Sequence, residues 1–341
     1  MKIKAGVNLG GWISQYSKYD HQHFENFIKE EDIEKIASWG MDHVRLPIDY
    51  PVIESEENPF TYKERGFNYI DNCITWCKKY NLGIVLDLHH APGYIFDSLD
   101  ENTLFDDPEM QKRFTAIWQE FAARYLKEGE NVIFELLNEV VDKDSSRWNT
   151  LAHKTIKAIR EIDQDRVIIF GGNYYNSIYE LKNIEIIDDP NVVYTFHYYL
   201  PLLFTHQKAP WSAINVDFDR NLKYPGEMVG LKEKYQENPE MYAYEKDNIG
   251  VTINKEYLDR ELQYALDFMQ KTGAELYCGE FGVIETADDK SRINWHRDFI
   301  DLLNKYDIPR AVWTYKEMDF PLVDINGKVV NKELVKIVSQ T

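Results

Sequence analysis

The feature that most constrains this chain is one alternation, repeated eight times along its 341 residues. Short runs rich in β-type apolar residues recur at 3–9, 42–46, 82–88, 131–137, 166–170, 192–199, 274–279 and 309–315. Stretches with helical spacing of their apolar positions intervene, at 30–40, 65–80, 108–127, 145–163, 177–183, 255–272, 288–306 and 332–338. In the second of these, Phe67, Ile70, Cys73, Ile74 and Cys77 fall on one face of a helix. Alternation of this kind specifies parallel strands joined by crossover helices, and eight units in this length specify a closed (β/α)8 barrel. The runs are continuously apolar, as strands covered on both faces must be. An open doubly wound sheet would carry a Gly-rich phosphate fingerprint after the first strand, and NLGGW there has the wrong spacing.

One segment breaks the rhythm. Residues 200–254, rich in Tyr, Asn, Lys and Glu, are too long for a structureless loop and are expected to form an inserted subdomain at the C-terminal rim, with a helix near 230–238. Net charge is −19, from 39 basic and 58 acidic residues, which argues against nucleic acid or anionic membranes as partners and suits a neutral ligand. Three cysteines cannot form a disulfide framework, and Cys73 and Cys77 are expected to be packed thiols. No apolar run approaches the roughly 20 residues of a membrane span. The opening MKIKAGVNLGGW has no apolar leader core, so a soluble, monomeric, cytoplasmic protein is the default expectation.

In such a barrel the polar residues at the C-terminal strand ends are the functional candidates. Taken in order they are Asn8, Arg45, Asp87, His89-His90, Asn138-Glu139, Asn173, His197, Tyr199, Glu280 and Trp313. Among them Glu139 and Glu280 stand out, because a carboxylate ending a buried strand is costly unless it is paired, hydrogen-bonded or protonated. Two such carboxyls facing each other are the minimum apparatus for glycoside hydrolysis. The 48 aromatic residues (23 Tyr, 17 Phe, 8 Trp) exceed what core packing needs and provide stacking platforms for sugar rings. Trp12, Trp148 and Trp211 are candidates for outer subsites.

NLGGW, HVRLP, LDLHHAPG, FELLNE, FHYY, YCGEFG and AVWTY occur in this order, each at its own strand. Together they resemble glycoside hydrolase family 5, and the likeness spans nearly the whole chain. It is similar to small bacterial endoglucanases of that family that carry a subdomain after the sixth strand. The resemblance implies an endo-β-1,4-glucanase that cleaves cellulosic or mixed-linkage β-glucan by a retaining double displacement, without cofactor or metal. It makes Glu139 the acid/base and Glu280 the nucleophile. Arg45 and Tyr199 would keep Glu280 ionised, Asn138 would bind the sugar 2-hydroxyl, His89 and His197 would hold substrate or the glutamates, and Trp313 would floor the subsite. A β-1,3-glucanase or β-mannanase of the same family shares these residues.

Other readings compete. Asp87 and His89 share a strand face and, with His197, suggest a metal-dependent hydrolase, although the adjacent His89-His90 cannot both chelate from a regular strand. A non-catalytic sugar-binding barrel would lack one glutamate, and both are present. Glu135 shares the face of Glu139 but lies too deep for substrate, which makes it a structural partner for Arg45. Alternation also points Asn138 and Glu139 opposite ways, so the strand end has to be distorted for both to act.

Overall fold

Runs that are apolar at every position need cover on both faces, and closing the sheet on itself inside a ring of helices provides it. The computed structural model describes residues 2–96 and 101–340. Its parallel barrel strands are β1 Ala5–Asn8, β2 His43–Asp49, β3 Gly83–His90, β4 Val132–Glu135, β5 Ile168–Gly171, β6 Val192–Tyr198, β7 Leu276–Phe281 and β8 Arg310–Val312. Each pairs with its neighbours in sequence, and β8 closes onto β1 with Gly6 opposite Ala311. The outer helices are α1 Glu30–Ser38, α2 Glu64–Lys79, α3 Pro108–Tyr125, α4 Ser145–Arg160, α5 Lys255–Thr272, α6 Asp289–Lys305 and α7 Lys332–Val338. After β5 the helical position is filled by a 3-10 segment, Ile178–Asn183. Local chemistry sets the helix ends. Asp107, Asp144 and Asn254 each cap an N-terminus through a side-chain oxygen, and Gly273 stops α5 in the left-handed conformation.

Alternation along the strands sorts the core into two clusters. Residues such as Leu86, Phe134, Ile168 and Phe196 face the helices in one continuous apolar layer. Their neighbours Val85, Ile133, Ile169, Val193, Tyr277 and Ala311 fill the barrel floor. Above that floor the interior turns from apolar to charged, with Arg45, Asp87 and Glu135 all at 0% exposure.

Several strand boundaries differ from expectation, and three of them have a definable reason. Strand β2 runs through Pro47 to Asp49. The Arg45 carbonyl accepts from Leu9 on the β1 side, so Pro47, two residues on, directs its missing N–H to the same side, beyond the end of β1. No ladder bond is lost there. Strand β7 runs on to Phe281, so Glu280 sits within the ladder, opposite a register shift between Phe196 and His197. Strand β4 stops at Glu135, and the chain from Leu136 onward is irregular. That irregularity relieves the alternation conflict between Asn138 and Glu139.

Between β6 and α5 lie the short helices Leu202–Thr205, Ala213–Phe218 and Leu231–Glu237, the last close to the expected 230–238. A two-stranded antiparallel ribbon pairs Gly226–Glu227 with Thr252–Ile253. The segment does not form a core of its own: Phe218, Leu222, Tyr224, Leu231 and Tyr242 belong to the same cluster as the barrel–helix layer. Tyr224 ties it down further by donating to Asp298 on α6 at 2.9 Å.

Candidate active site

Arg45 is the hub. It enters the barrel from β2, and all five of its N–H groups are used. Nε and Nη2 grip the two oxygens of Glu135 at 2.7 and 2.9 Å. Nη1 donates to Glu280 and to Asn8, both at 2.8 Å. Nη2 also donates to Asn138 Oδ1 at 2.8 Å and lies 3.1 Å from Asp87. Burial acts to lower the guanidinium pKa, but Asp87, Glu135 and Glu280 together raise it well above its ordinary value, so Arg45 is a permanent cation. One cation faces three buried carboxyls. Burial therefore pushes both Asp87 and Glu135 up to about 7 despite Arg45.

Glu280 projects from β7 into this charge. Its Oε1 accepts from Arg45 and its Oε2 from the Tyr199 hydroxyl, each at 2.8 Å. Burial outweighs these partners, and the net displacement of its pKa is upward from the ordinary glutamate value. Tyr199 keeps its proton, because burial and the nearby Glu280 raise its pKa well above 10.0.

Glu139 stands across the mouth on the irregular chain after β4. Its Oε1 lies 2.8 Å from His197 Nδ1, and the same ring nitrogen is 3.7 Å from Glu280. Burial, then Arg45 and His89, lower the His197 pKa well below 6.5, so the imidazole is neutral near pH 7. A neutral ring can donate through Nδ1 to a Glu139 carboxylate or accept there from a Glu139 carboxylic acid. Gly279 makes room for that ring, since a Cβ there would stand 3.2 Å from His197 Nε2.

His89 is also neutral, its pKa lowered to about 3 by burial. Its Nδ1–H is directed to Asp87 at 2.7 Å, which leaves Nε2 to accept from Asn138 Nδ2 at 3.4 Å. The His89 ring stacks on Trp313 with centroids 5.8 Å apart and planes within 7°. The structure thus brings together the eight residues to which the family resemblance gives a role: Arg45, His89, Asn138, Glu139, His197, Tyr199, Glu280 and Trp313.

Other candidates are placed differently. Asn8 is fully buried and braces Arg45 while donating to the Gly279 carbonyl. Trp12 and Trp148 do not reach the mouth: both are 1% exposed, with indole N–H groups spent on the carbonyls of Phe24 and Gly171. Trp211 is 55% exposed, at the end of an aromatic series running through His206 to Tyr199. Asp87 and His89 are bonded to each other and do not converge with His197 on one point. Among the described residues, the one trio with ligand-like spacing is Glu139, His197 and Glu280, whose nearest atoms all lie within 4.8 Å.

Two contributors were invisible in the sequence. Tyr94 hydrogen-bonds the backbone beside Glu139, and Asn176 does the same from the turn after β5. Both lie outside any periodic pattern. That turn holds three consecutive left-handed residues, Tyr174, Tyr175 and Asn176, none of them glycine. Such geometry costs roughly 1–2 kcal/mol per residue and persists only where surrounding contacts enforce it, commonly at functional sites. Glu317, Met318 and Asp319 form a second such run after β8, also at the mouth.

A (β/α)8 barrel presenting two opposed carboxyls among neutral histidines, a buried arginine and aromatic platforms is the site of an O-glycoside hydrolase. The model of the family described as Cellulase (glycosyl hydrolase family 5) matches residues 6–319. Endoglucanase C of Acetivibrio thermocellus is 54% identical over 340 residues, covering 100% of this chain and 99% of its own. Cellodextrinase A of Ruminococcus flavefaciens is 36% identical over 310 residues, covering 90% of this chain and 84% of its own. The structure of Cel5A from Thermotoga maritima in complex with mannotriose superposes with a TM-score of 0.80 at 27% identity, covering 98% of this chain and 97% of that one. The chain belongs to glycosyl hydrolase family 5, the cellulase family. Among the described residues no helix is long and apolar enough to cross a membrane.

Proposed function

We propose that the protein is a retaining endo-β-1,4-glucanase in which Glu280 is the nucleophile and Glu139 the acid/base. The observation that carries this reading is the separation of the pair, whose nearest carboxyl oxygens lie within 4.8 Å. Retaining enzymes hold the two carboxyl groups about 5–5.5 Å apart, whereas inverting ones need about 6.5–9.5 Å to admit a water between carboxylate and sugar. In the first step Glu280 attacks the anomeric carbon, the glycosidic C–O bond breaks, and Glu139 gives its proton to the departing oxygen. In the second, Glu139 takes a proton from water, whose oxygen attacks the same carbon and frees Glu280.

The surroundings support this division of labour. Arg45 and Tyr199 hold both oxygens of Glu280, which aims the carboxylate and favours its charged form. Asn138, fixed through Oδ1 by Arg45, directs its amide nitrogen toward a sugar 2-hydroxyl, and Trp313 forms the floor beneath the ring. Residues 200–254 act as a rim subdomain that brings Trp211 toward the outer cleft. The enzyme acts as a monomer in this reading. The neutral β-glucan substrate accords with the acidic surface and with the relatives' names.

The decisive experiment is a polysaccharide panel with product sizing. Carboxymethyl-cellulose and lichenan are cleaved internally, with an early fall in viscosity, and laminarin stays intact. Proton NMR of the first product shows the β-anomer. If every β-1,4-glucan survived, or the α-anomer appeared first, the reading would fall. Mannan is included because the related Cel5A is described with mannotriose as substrate; cleavage of mannan alone would move the assignment to β-mannanase.

The electrostatics give a pH prediction. Because the pKa of Glu280 is raised, activity is lost as pH falls through a midpoint above the ordinary glutamate value of about 4.3. Tyr199→Phe removes a hydrogen bond to the charged form, so the pKa rises further. The acid limb of kcat/KM then moves to higher pH by about one unit. An unmoved or acid-shifted limb would show that Glu280 does not govern it.

A further inference from the structure

The chain carrying Glu139 lies beyond the end of β4, yet it is held at successive backbone groups from outside. The Asn138 carbonyl accepts from Asn176 Nδ2 at 3.3 Å, the Glu139 carbonyl from the Tyr94 hydroxyl at 2.8 Å, and the Val140 carbonyl from the Tyr175 amide at 3.0 Å. Val141 N donates back to the Tyr94 oxygen at 2.5 Å. Asn173 then takes both sides of the next residue: its Oδ1 accepts from Asp142 N at 2.9 Å, and its Nδ2 donates to Asp142 O at 2.7 Å.

Three of these four partners come from one turn, the one that follows β5. Its residues Tyr174, Tyr175 and Asn176 have φ of 47°, 59° and 55°. The turn is bound internally as well, with Asn173 Oδ1 accepting from Tyr174 N at 2.8 Å and Asn176 Oδ1 accepting from Gly172 N at 3.1 Å. Gly171 is required for this arrangement, because a Cβ there would overlap the Asn176 amide group. The turn thus makes four hydrogen bonds from one side, two of them from its left-handed residues, and Tyr94 makes two from the other, all onto the five-residue stretch 138–142 that carries Glu139.

We propose that the β5 turn, through Asn173 and Asn176 and together with Tyr94, is a positioning clamp that sets the Glu139 carboxyl against the leaving oxygen. These residues act through the backbone of Glu139 and of its neighbours Asn138 and Asp142, and not on the sugar. The inference rests on the acid/base reading of Glu139. Its chemical signature is selectivity for the leaving group. A misplaced proton donor slows departure of a basic alkoxide or phenolate, but 2,4-dinitrophenolate departs without a proton. A purely structural role would lower both rates together.

The test compares phenyl and 2,4-dinitrophenyl β-cellobioside in Asn173→Ala, Asn176→Ala and the unaltered enzyme, with Glu139→Gln as reference. In the two clamp variants kcat/KM for the phenyl substrate falls by about 10- to 100-fold, the scale of an ångström-level misplacement. The dinitrophenyl substrate changes by less than about threefold, which also reports that the variants are folded. Asn173→Asp, close in volume, retains the acceptor for Asp142 N and gives an intermediate loss on the phenyl substrate. Gly171→Ala, which displaces the Asn176 amide without removing it, repeats the selective loss. Equal losses on both substrates, or no loss on the phenyl one, would overturn the clamp. If Glu139→Gln itself lacked leaving-group selectivity, the acid/base reading would fail and the clamp with it. If Glu139→Gln is selective and the clamp variants are not, only the clamp fails.

Discussion

Glu280→Gln lowers kcat on cello-oligosaccharides by about four orders of magnitude, the scale seen when a covalent nucleophile is removed from a catalytic unit. The amide has the shape of the carboxylate, and its oxygen can still accept from Arg45 Nη1 or from Tyr199, so the mouth keeps its form. What disappears is the negative oxygen able to bond the anomeric carbon. Binding therefore survives where turnover does not, and calorimetry on the variant detects cellotetraose with a Kd within about tenfold of the wild-type KM. Residual turnover above about one per cent of wild type would remove Glu280 from the nucleophile role. Loss of binding together with turnover would instead mark Glu280 as a substrate anchor.

Arg45→Met gives the second large effect, on stability as well as activity. Methionine fills much of the volume, but it leaves Asp87, Glu135 and Glu280 buried with their shared cation gone. Removing one partner of a buried ion pair costs about 3–5 kcal/mol, because an uncompensated charge or an unbonded polar group stays in the interior. Urea denaturation at pH 7 shows a loss of this size. The double variant Arg45→Met/Glu135→Gln recovers part of it, since the amide removes one of the stranded charges. A change below about 1 kcal/mol for the single variant would mean that the carboxyls are already neutral without Arg45. The same variant also raises the pKa of Glu280, whose charged form Arg45 favours, so the remaining activity shifts to higher pH.

Much of the architecture is legible along the chain, because a covered strand and a helix leave periodic marks of different length. Eight apolar runs and their intervening helices are found where their spacing puts them, within a few residues. The catalytic candidates are legible for a related reason. A Glu or Arg in an otherwise apolar run violates the cost of burying charge, and the violation itself marks the site. Glu135 shows how far this reaches: alternation puts it on the face of Glu139 but too deep for substrate, and the structure pairs it with Arg45.

What periodicity did not resolve was anything settled by a neighbour distant in sequence. Pro47 looks like a strand end, yet β2 continues through it because β1 has already stopped beside it. Trp12 and Trp148 look like sugar platforms, yet their indole N–H groups are committed to carbonyls in the interior. The apolar residues of the stretch at 200–254 join the main core, which their spacing does not show.

Residue type and spacing alone therefore determined the barrel and marked the polar ring at its C-terminal mouth, with Glu139 and Glu280 as candidates within it. Tertiary structure decided how those groups are tuned and held. It brought one arginine against three carboxyls and placed a neutral histidine between the two glutamates. It also set the left-handed turn after β5 against the irregular chain that carries Glu139. The physical reason is that side-chain period is a property of the local backbone, whereas dielectric, pairing and clamping depend on atoms that only closure of the barrel makes neighbours.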